Sequence, residues 1–396
     1  MKLHVFLISM FALVYNFGCG QSNPANAEIT AADTIQKTET LSDTASQTKE
    51  ISLLFLGDIM QHDLQIESAY YKEKGTYDFS SQFEHVKPIF DTTDVVVGNL
   101  EVTLSGRPYG GYPKFSSPDA LAVAIKDAGI DYFAFANNHV FDYGKKGFDR
   151  TLRVLDSLEI PRTGAFYDAK DKAEKHPMII QKNDFKIAVF NYTYGVNEDS
   201  LLQHSLLNYI DSAAIKKDLR ESMQQDFDAR IVFMHWAEEY ERLPSGYQEA
   251  LENFCYENGA DIVIGAHPHV IQPMKYYNFT DSLGNIKKVL TAYSLGNFVS
   301  NYATWRYCDG GAMLRFKLSK TEGKALEILQ PEYHLIWVYR SIRSAKLRRY
   351  SVLPVLDFEN DPKITGEFRR LMKRFIDDSR TLLNEHNIGV PEAKKH

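Results

Sequence analysis

Six side chains able to hold a metal ion recur at one kind of position in this chain, just after a short apolar run. Asp58 closes Leu56-Gly57-Asp58, and Glu101 closes Asn99-Leu100-Glu101. Asn138 lies in Asn137-Asn138-His139, and His235 follows Ile231–Met234. His267 and His269 follow Ile262–Ile264 within Gly265-Ala266-His267-Pro268-His269. Carboxylates, imidazoles and an amide oxygen are the donors of manganese, iron, zinc and related divalent metals. Two such ions about 3.5–4 Å apart activate a hydroxide and stabilise in-line attack on phosphorus. A pair of ions needs a carboxylate between them, and Glu101 can supply it. Any one segment alone is weak: Asp58 would serve equally as a helix cap, and His139 or His235 as a packed histidine. Glu101, however, is costly to bury without a partner.

The elements that must position these groups follow from the apolar runs. Ile51–Leu56, Val95–Val97, Tyr132–Ala136, Ile187–Asn191, Ile231–Met234, Ile262–Ile264 and Val289–Tyr293 have the length and β-branched content of buried strands. Between them, Ser81–Phe90, Pro118–Ala128, Phe148–Leu158, Ser212–Gln224 and Tyr247–Asn258 carry helical patterns, with Gly129 and Gly259 placed as C-terminal caps. Alternating strands and helices predict an α/β protein of βαβ units, its sheet covered on both faces. Ligand sites of parallel sheets form at the carboxyl ends of the strands, so the separated segments should converge on one place. After Asn301, Ala312–Leu318 and Tyr333–Val338 read as strands and Ile364–Leu383 as an amphipathic helix. Residues 50–301 are therefore expected to form the main domain, and 302–396 to complete its fold.

In their order, Gly57-Asp58, Asn99-Leu100-Glu101, Asn137-Asn138-His139 with Asp142, His235-Trp236, Gly265-Ala266-His267-Pro268-His269 and Ser294-Leu295-Gly296-Asn297-Phe298 resemble the motifs of the CapA/PgsA family of capsule and poly-γ-glutamate synthesis proteins. The resemblance covers about residues 51 to 300. It implies a layered fold like that of calcineurin-like metallophosphoesterases, with β-sheets flanked by helices, and up to two divalent ions (Mn, Fe or Zn). Carried over by motif, Asp58, Glu101 and His269 hold one ion, while Glu101, Asn138, His235 and His267 hold the other. His139 becomes the acid or transition-state stabiliser outside the ligand set. Asp142 either orients His139 or caps the next helix. Phosphoesterases of this fold carry a histidine ligand two residues after the first aspartate, where this chain has Met60. His62 replaces it only if a helical turn follows Asp58, which would bring positions 58 and 62 onto one face. Lys114, Arg107, Asn297 and the loop Asn301–Tyr307 are expected to meet substrate.

The chain opens with Lys2 and an apolar stretch, Leu3–Phe17, short for a membrane span. It ends at Gly18-Cys19, which resembles a lipoprotein cleavage site with Cys19 as the lipidated residue. Cys255 and Cys308 are the only other cysteines, so no disulfide framework is expected. Residues 20–49 contain no aromatic residue and are rich in Ser, Thr, Ala and Gln, the composition of a disordered tether. With a net charge of −7 and dispersed basic residues, nucleic acid is not an expected partner. The expected protein is thus lipid-anchored at the bacterial cell envelope, outside the cytoplasm, and acts with a polymer synthesis or export complex. Its role is that of a metal-dependent hydrolase, of a non-catalytic assembly subunit, or of a general envelope phosphoesterase.

Overall fold

The computed structural model describes residues 48–197, 206–302, 305–344 and 347–395. Cys19, the segment 1–19 and the tether up to residue 47 lie outside the described residues. In chain order the strands are β1 (Lys49–Ile59), β2 (Tyr70–Tyr71), β3 (Thr76–Tyr77), β4 (Val95–Leu100), β5 (Tyr132–Ala134), β6 (Arg162–Thr163), β7 (Met178–Lys182), β8 (Phe185–Thr193), β9 (Ala229–His235), β10 (Ile262–Ala266), β11 (Met274–Thr280), β12 (Ile286–Ala292), β13 (Asn297–Val299), β14 (Gly310–Lys320), β15 (Glu327–Ser344) and β16 (Leu347–Pro354). The helices are α1 (Asp63–Ala69), α2 (Ser80–Phe83), α3 (Lys87–Phe90), α4 (Ala120–Ala128), α5 (Gly144–Ser157), α6 (Ala169–Lys175), α7 (Ser212–Ser222), α8 (Gly246–Glu257), α9 (Val355–Phe358) and α10 (Gly366–His386).

Two large sheets, not one, organise the described residues. The first runs β16-β15-β14-β1-β4-β5-β6 with β13 beside β1, and the second runs β11-β12-β10-β9-β8-β7. Strands β1, β4, β5 and β6 are mutually parallel, as are β8, β9, β10 and β12. The period-2 alternation of each strand sorts its side chains between two layers. Leu53 and Phe55 of β1 share one core cluster with Val189 of β8, Phe233 of β9 and Ile264 of β10, so the sheets pack face to face. Leu54 and Leu56 face the other way, into a cluster with Leu121 and Ile125 of α4 and Leu152 of α5. Val232 and Met234 of β9 likewise join Ile215 of α7 and Leu251 of α8. Helices α4, α5, α7 and α8 thus cover the outer faces, while α10 joins the shared inner cluster through Met372, Phe375 and Leu383. The layered arrangement of β-sheets flanked by helices is as expected, but two packed sheets replace the single sheet read from the βαβ alternation.

Ser81–Phe90 is not one helix. Pro88 sits at the start of α3, where its missing N–H costs nothing but cannot continue a preceding helix, and the stretch divides into α2 and α3. Gly129 and Gly259 cap α4 and follow α8 with φ of 110° each. Strands β14 to β16 extend the first sheet antiparallel from β1.

At the carboxyl end of β1 the pairing with β4 shifts register between Phe55 and Asp58. Such a bulge re-aims the side chain that follows it. Gly57 sits in it, where a Cβ would lie 1.9 Å from the Gly296 carbonyl oxygen. Gly57→Ala is expected to destabilise the protein by about 1–3 kcal/mol through forced backbone displacement. Thermal unfolding checks this, and a variant that melts with the parent would contradict the close approach.

Candidate metal centre

Side chains from both sheets meet where the parallel strands end. Asp58 comes from β1 and Glu101 from the residue after β4; His235 ends β9, and His267 and His269 follow β10. All five are buried. Donor atoms of Glu101, His267 and His269 lie within 4.8 Å of one another, and so do those of Asp58, Glu101 and His235. Glu101 belongs to both groups. Asn138 Oδ1 approaches His235 Nε2 at 2.9 Å. His269 also stands beside Asp58, and His235 beside Asn138 and His267, as in the expected ligand sets.

The orientation of His269 is set by two neighbours. Its Nδ1 lies 3.0 Å from Asp58 Oδ2 and 3.2 Å from Asn297 Oδ1. Both are acceptors, so Nδ1 carries the proton and donates. The opposite nitrogen, Nε2, is then an unprotonated lone pair 3.9 Å from Glu101 Oε1. Asn297 is fully buried and its amide also donates to the His269 and Cys308 carbonyls. The structure therefore places Asn297 behind His269 and away from the cleft, where it fixes the tautomer. Asn99 donates to Asp58 Oδ1 at 2.8 Å, holding that carboxylate from the other side.

Several donors at this centre have no protein partner. Both oxygens of Glu101, His267 Nδ1, His269 Nε2 and Asn99 Oδ1 are buried without a hydrogen bond. Buried polar groups are normally paired, and unpaired ones carry a desolvation penalty of about 1–3 kcal/mol each. Converging orphan donors of these types fit a divalent cation. Electrostatics agree. Burial, then the neighbouring Asp58 charge, pushes the Glu101 carboxyl well above its ordinary range. Burial holds His267 down to about 3 and His235 well below the usual histidine value, with adjacent histidines adding to both. The imidazoles are thus neutral and ready to ligate, and a cation displaces a proton from Glu101. His267 and His269 have φ of 97° and 57°. Left-handed backbone at non-glycine residues persists where surroundings enforce it, and it clusters at functional sites.

His139 stands beside the ligands. Its Nδ1 lies 2.8 Å from Asp142 Oδ2, an oxygen that also accepts from the Phe115 N–H at 2.7 Å. Asp142 makes no cap for α5, whose N-cap is Tyr143. Of the two roles open from sequence, Asp142 takes the orienting one, and His139 turns Nε2 toward a cleft of about 760 Å³. Lys114 is exposed on the cleft wall, with Asn301, Tyr302 and Trp305. Arg107 is not there; it lies over Tyr109, 5.1 Å from the ring centroid, in a separate shallow depression. Met60 is fully buried in the apolar cluster behind the first sheet.

His62 does not share a helical face with Asp58, because β1 continues to Ile59 and His62 is the N-cap of α1. It packs edge-on to Phe115 and Tyr302 and accepts from the Asn301 N–H at 3.2 Å. Burial lowers its pKa from 6.5 to about 4, opposed in part by the Gln65 hydrogen bond. The unfolded chain protonates this ring first, so its contribution to stability is present above pH 6.5 and is lost as pH falls toward 4. The full loss is on the order of 3 kcal/mol. Between those limits the metal-free parent should melt progressively lower, and His62→Gln should flatten that slope.

Four cleft residues carried no signal in the sequence. Tyr194 follows β8 and lies against His267, ring centroids 4.6 Å apart. Asn197 accepts from Asn138 Nδ2 at 3.4 Å. Glu239 and Tyr240 line the opposite wall.

The family model for the bacterial capsule synthesis protein PGA_cap matches residues 52–302. The chain belongs to this family. It is 28% identical over 313 residues to the capsule biosynthesis protein CapA of Bacillus anthracis, covering 76% of this chain and 72% of that one. It is 28% identical over 289 residues to the PGA biosynthesis protein CapA of Bacillus subtilis (strain 168), covering 72% of each. Among solved structures it is similar to the NAD nucleotidase NadN of Haemophilus influenzae, at 15% identity and a TM-score of 0.45, covering 88% of this chain and 65% of that one. It is also similar to the calcineurin-like phosphoesterase YfkN of Bacillus subtilis, at 13% identity and a TM-score of 0.43, covering 86% of this chain and 99% of that one. Among the described residues, no helix is long and apolar enough to cross a membrane.

Proposed function

We propose that this protein is a metal-dependent phosphoester hydrolase serving the synthesis of capsule or poly-γ-glutamate-like polymer at the cell envelope. The observation that carries the hydrolase reading is Glu101, buried with both oxygens unpaired between two groups of donors. Asp58, Glu101, His235, His267 and His269 would hold the ions, with Asn138 joining through Oδ1. When bound, manganese, iron or zinc at such a centre supplies a hydroxide nucleophile and neutralises charge on the phosphoryl oxygens. The chain's own groups do the rest. Asn297 and Asp58 keep the His269 proton on Nδ1, Asp142 keeps the His139 ring turned to the cleft, and His139 Nε2 gives a proton to the departing oxygen. The polymer comes from the family and from the names of the two Bacillus relatives. Attachment through a lipid on Cys19, and action beside a polymer synthesis or export complex, belong to the same proposal.

The test is direct. Purified protein supplied with Mn²⁺, Fe²⁺ or Zn²⁺ should retain at least one ion per chain and hydrolyse phosphomonoesters or phosphodiesters. Chelation should remove both properties, and re-addition should restore them. Protein that retains no ion overturns the reading. Retained metal without turnover of any phosphoester would make the protein an assembly subunit instead.

A further inference from the structure

We infer that the cleft beside the metal centre seats an uncharged sugar ring, so that the substrate is a sugar phosphate; this rests on the phosphoester reading above. Three observations carry it. Trp305 and Tyr240 stack with centroids 4.6 Å apart and planes 30° apart, and Trp305 remains 52% exposed on the cleft wall. The negative face of an aromatic ring attracts the weakly positive C–H face of a sugar and buries it. The charge of the wall points the same way. Lys114 is the only Lys or Arg among the described residues lining the cleft, whereas Glu239 and Asp142 are carboxylates. A γ-glutamate chain carries a negative charge on every residue, and a single lysine does not match such a series. An ionised carboxylate such as Glu239 accepts hydrogen bonds only, which suits the hydroxyl groups of a sugar and not a phosphate.

The third observation is how the wall is held. Ala237 and Tyr240 have φ of 72° and 69°, so this short segment is kept in left-handed backbone on both sides of Glu239. The Tyr240 N–H donates to the Pro268 carbonyl at 2.8 Å. Pro268 separates His267 from His269, so the aromatic wall is tied to the turn that carries two metal-binding side chains. A ring stacked there sits at a fixed distance from the phosphoryl position. In the reaction, water forms the new O–P bond and the sugar–O–P bond breaks. The sugar leaves as an alcohol with the proton delivered from His139.

The protein reports on its own cleft. Of its three tryptophans, Trp236 and Trp337 are fully buried, so a ligand on the wall quenches Trp305. Glucose 1-phosphate should quench emission saturably, and glycerol 3-phosphate and penta-γ-glutamate should not. Tyr240→Ala and Glu239→Gln, which keep Trp305, should each raise the half-saturating concentration about tenfold. Trp305→Phe should abolish the signal yet preserve binding measured by calorimetry, because the aromatic face is retained. No saturable quenching by glucose 1-phosphate overturns the inference, as does tighter binding of adenosine monophosphate or penta-γ-glutamate. Quenching without hydrolysis of glucose 1-phosphate or any other phosphoester sinks the hydrolase reading and leaves the sugar subsite standing.

Discussion

Glu101→Gln should leave a folded protein that no longer holds metal. Glu101 is the one side chain common to both donor groups, so its loss removes a ligand from each at once. The substitution is nearly isosteric. It also removes little from the metal-free fold, because burial and Asp58 already favour the protonated, uncharged carboxyl there. Metal affinity should nevertheless fall by at least about 100-fold, the upper end of what outer partners of a metal site cost when removed. Metal content after gel filtration measures the loss, and circular dichroism with thermal unfolding measures the fold. A Glu101→Gln protein that keeps its full complement of metal would show that Glu101 is not a ligand. For the parent, metal uptake should release a proton and weaken as pH falls, since the ion competes with the Glu101 proton.

How far the sequence carried this centre depended on the kind of signal. The strands were legible because their apolar runs are buried from both sides; Leu53–Leu56 is an unbroken example within β1. Their chemistry was legible because it sits at strand ends, where Asp58, Glu101, His235, His267 and His269 stand. What covers a strand was not legible. Phe55 and Leu54 are equally apolar, yet one faces the second sheet and the other faces helices. Continuous hydrophobic strands look alike in either setting. Edge strands such as β11, with Lys275 and Asn278, and β16, with Arg349, lack the apolar run and were missed. The tautomer of His269 was hidden as well, because it turns on which nitrogen meets Asp58. Asn297 was misplaced for a related reason: its type says that it can hydrogen-bond, but not that its partner is a ring nitrogen and not a substrate. Glu239 and Tyr240 depend on backbone conformation at positions where nothing in the residue types announces positive φ.

His139→Ala separates binding from catalysis. His139 is in neither donor group, and its Nδ1 is engaged by Asp142. Removing the ring should therefore spare metal content and abolish proton delivery to the departing oxygen. Turnover of a poor leaving group such as an alkyl phosphate should drop by about 10²–10⁴-fold, the usual worth of a positioned general acid. A phenolate leaving group of low pKa needs little protonation, so 4-nitrophenyl phosphate should lose far less. That contrast distinguishes an acid from a residue that merely holds the fold, since a structural defect would slow both substrates alike. Asp142→Asn provides the second arm. An amide oxygen still accepts from His139 Nδ1, but it no longer stabilises the imidazolium electrostatically, and it accepts more weakly from the Phe115 N–H. Turnover of the alkyl phosphate should again fall more than that of 4-nitrophenyl phosphate, because only the first needs the proton that His139 gives. Equal losses on both leaving groups, or loss of metal in His139→Ala, would remove His139 from the role of acid and make it part of the ligand scaffold.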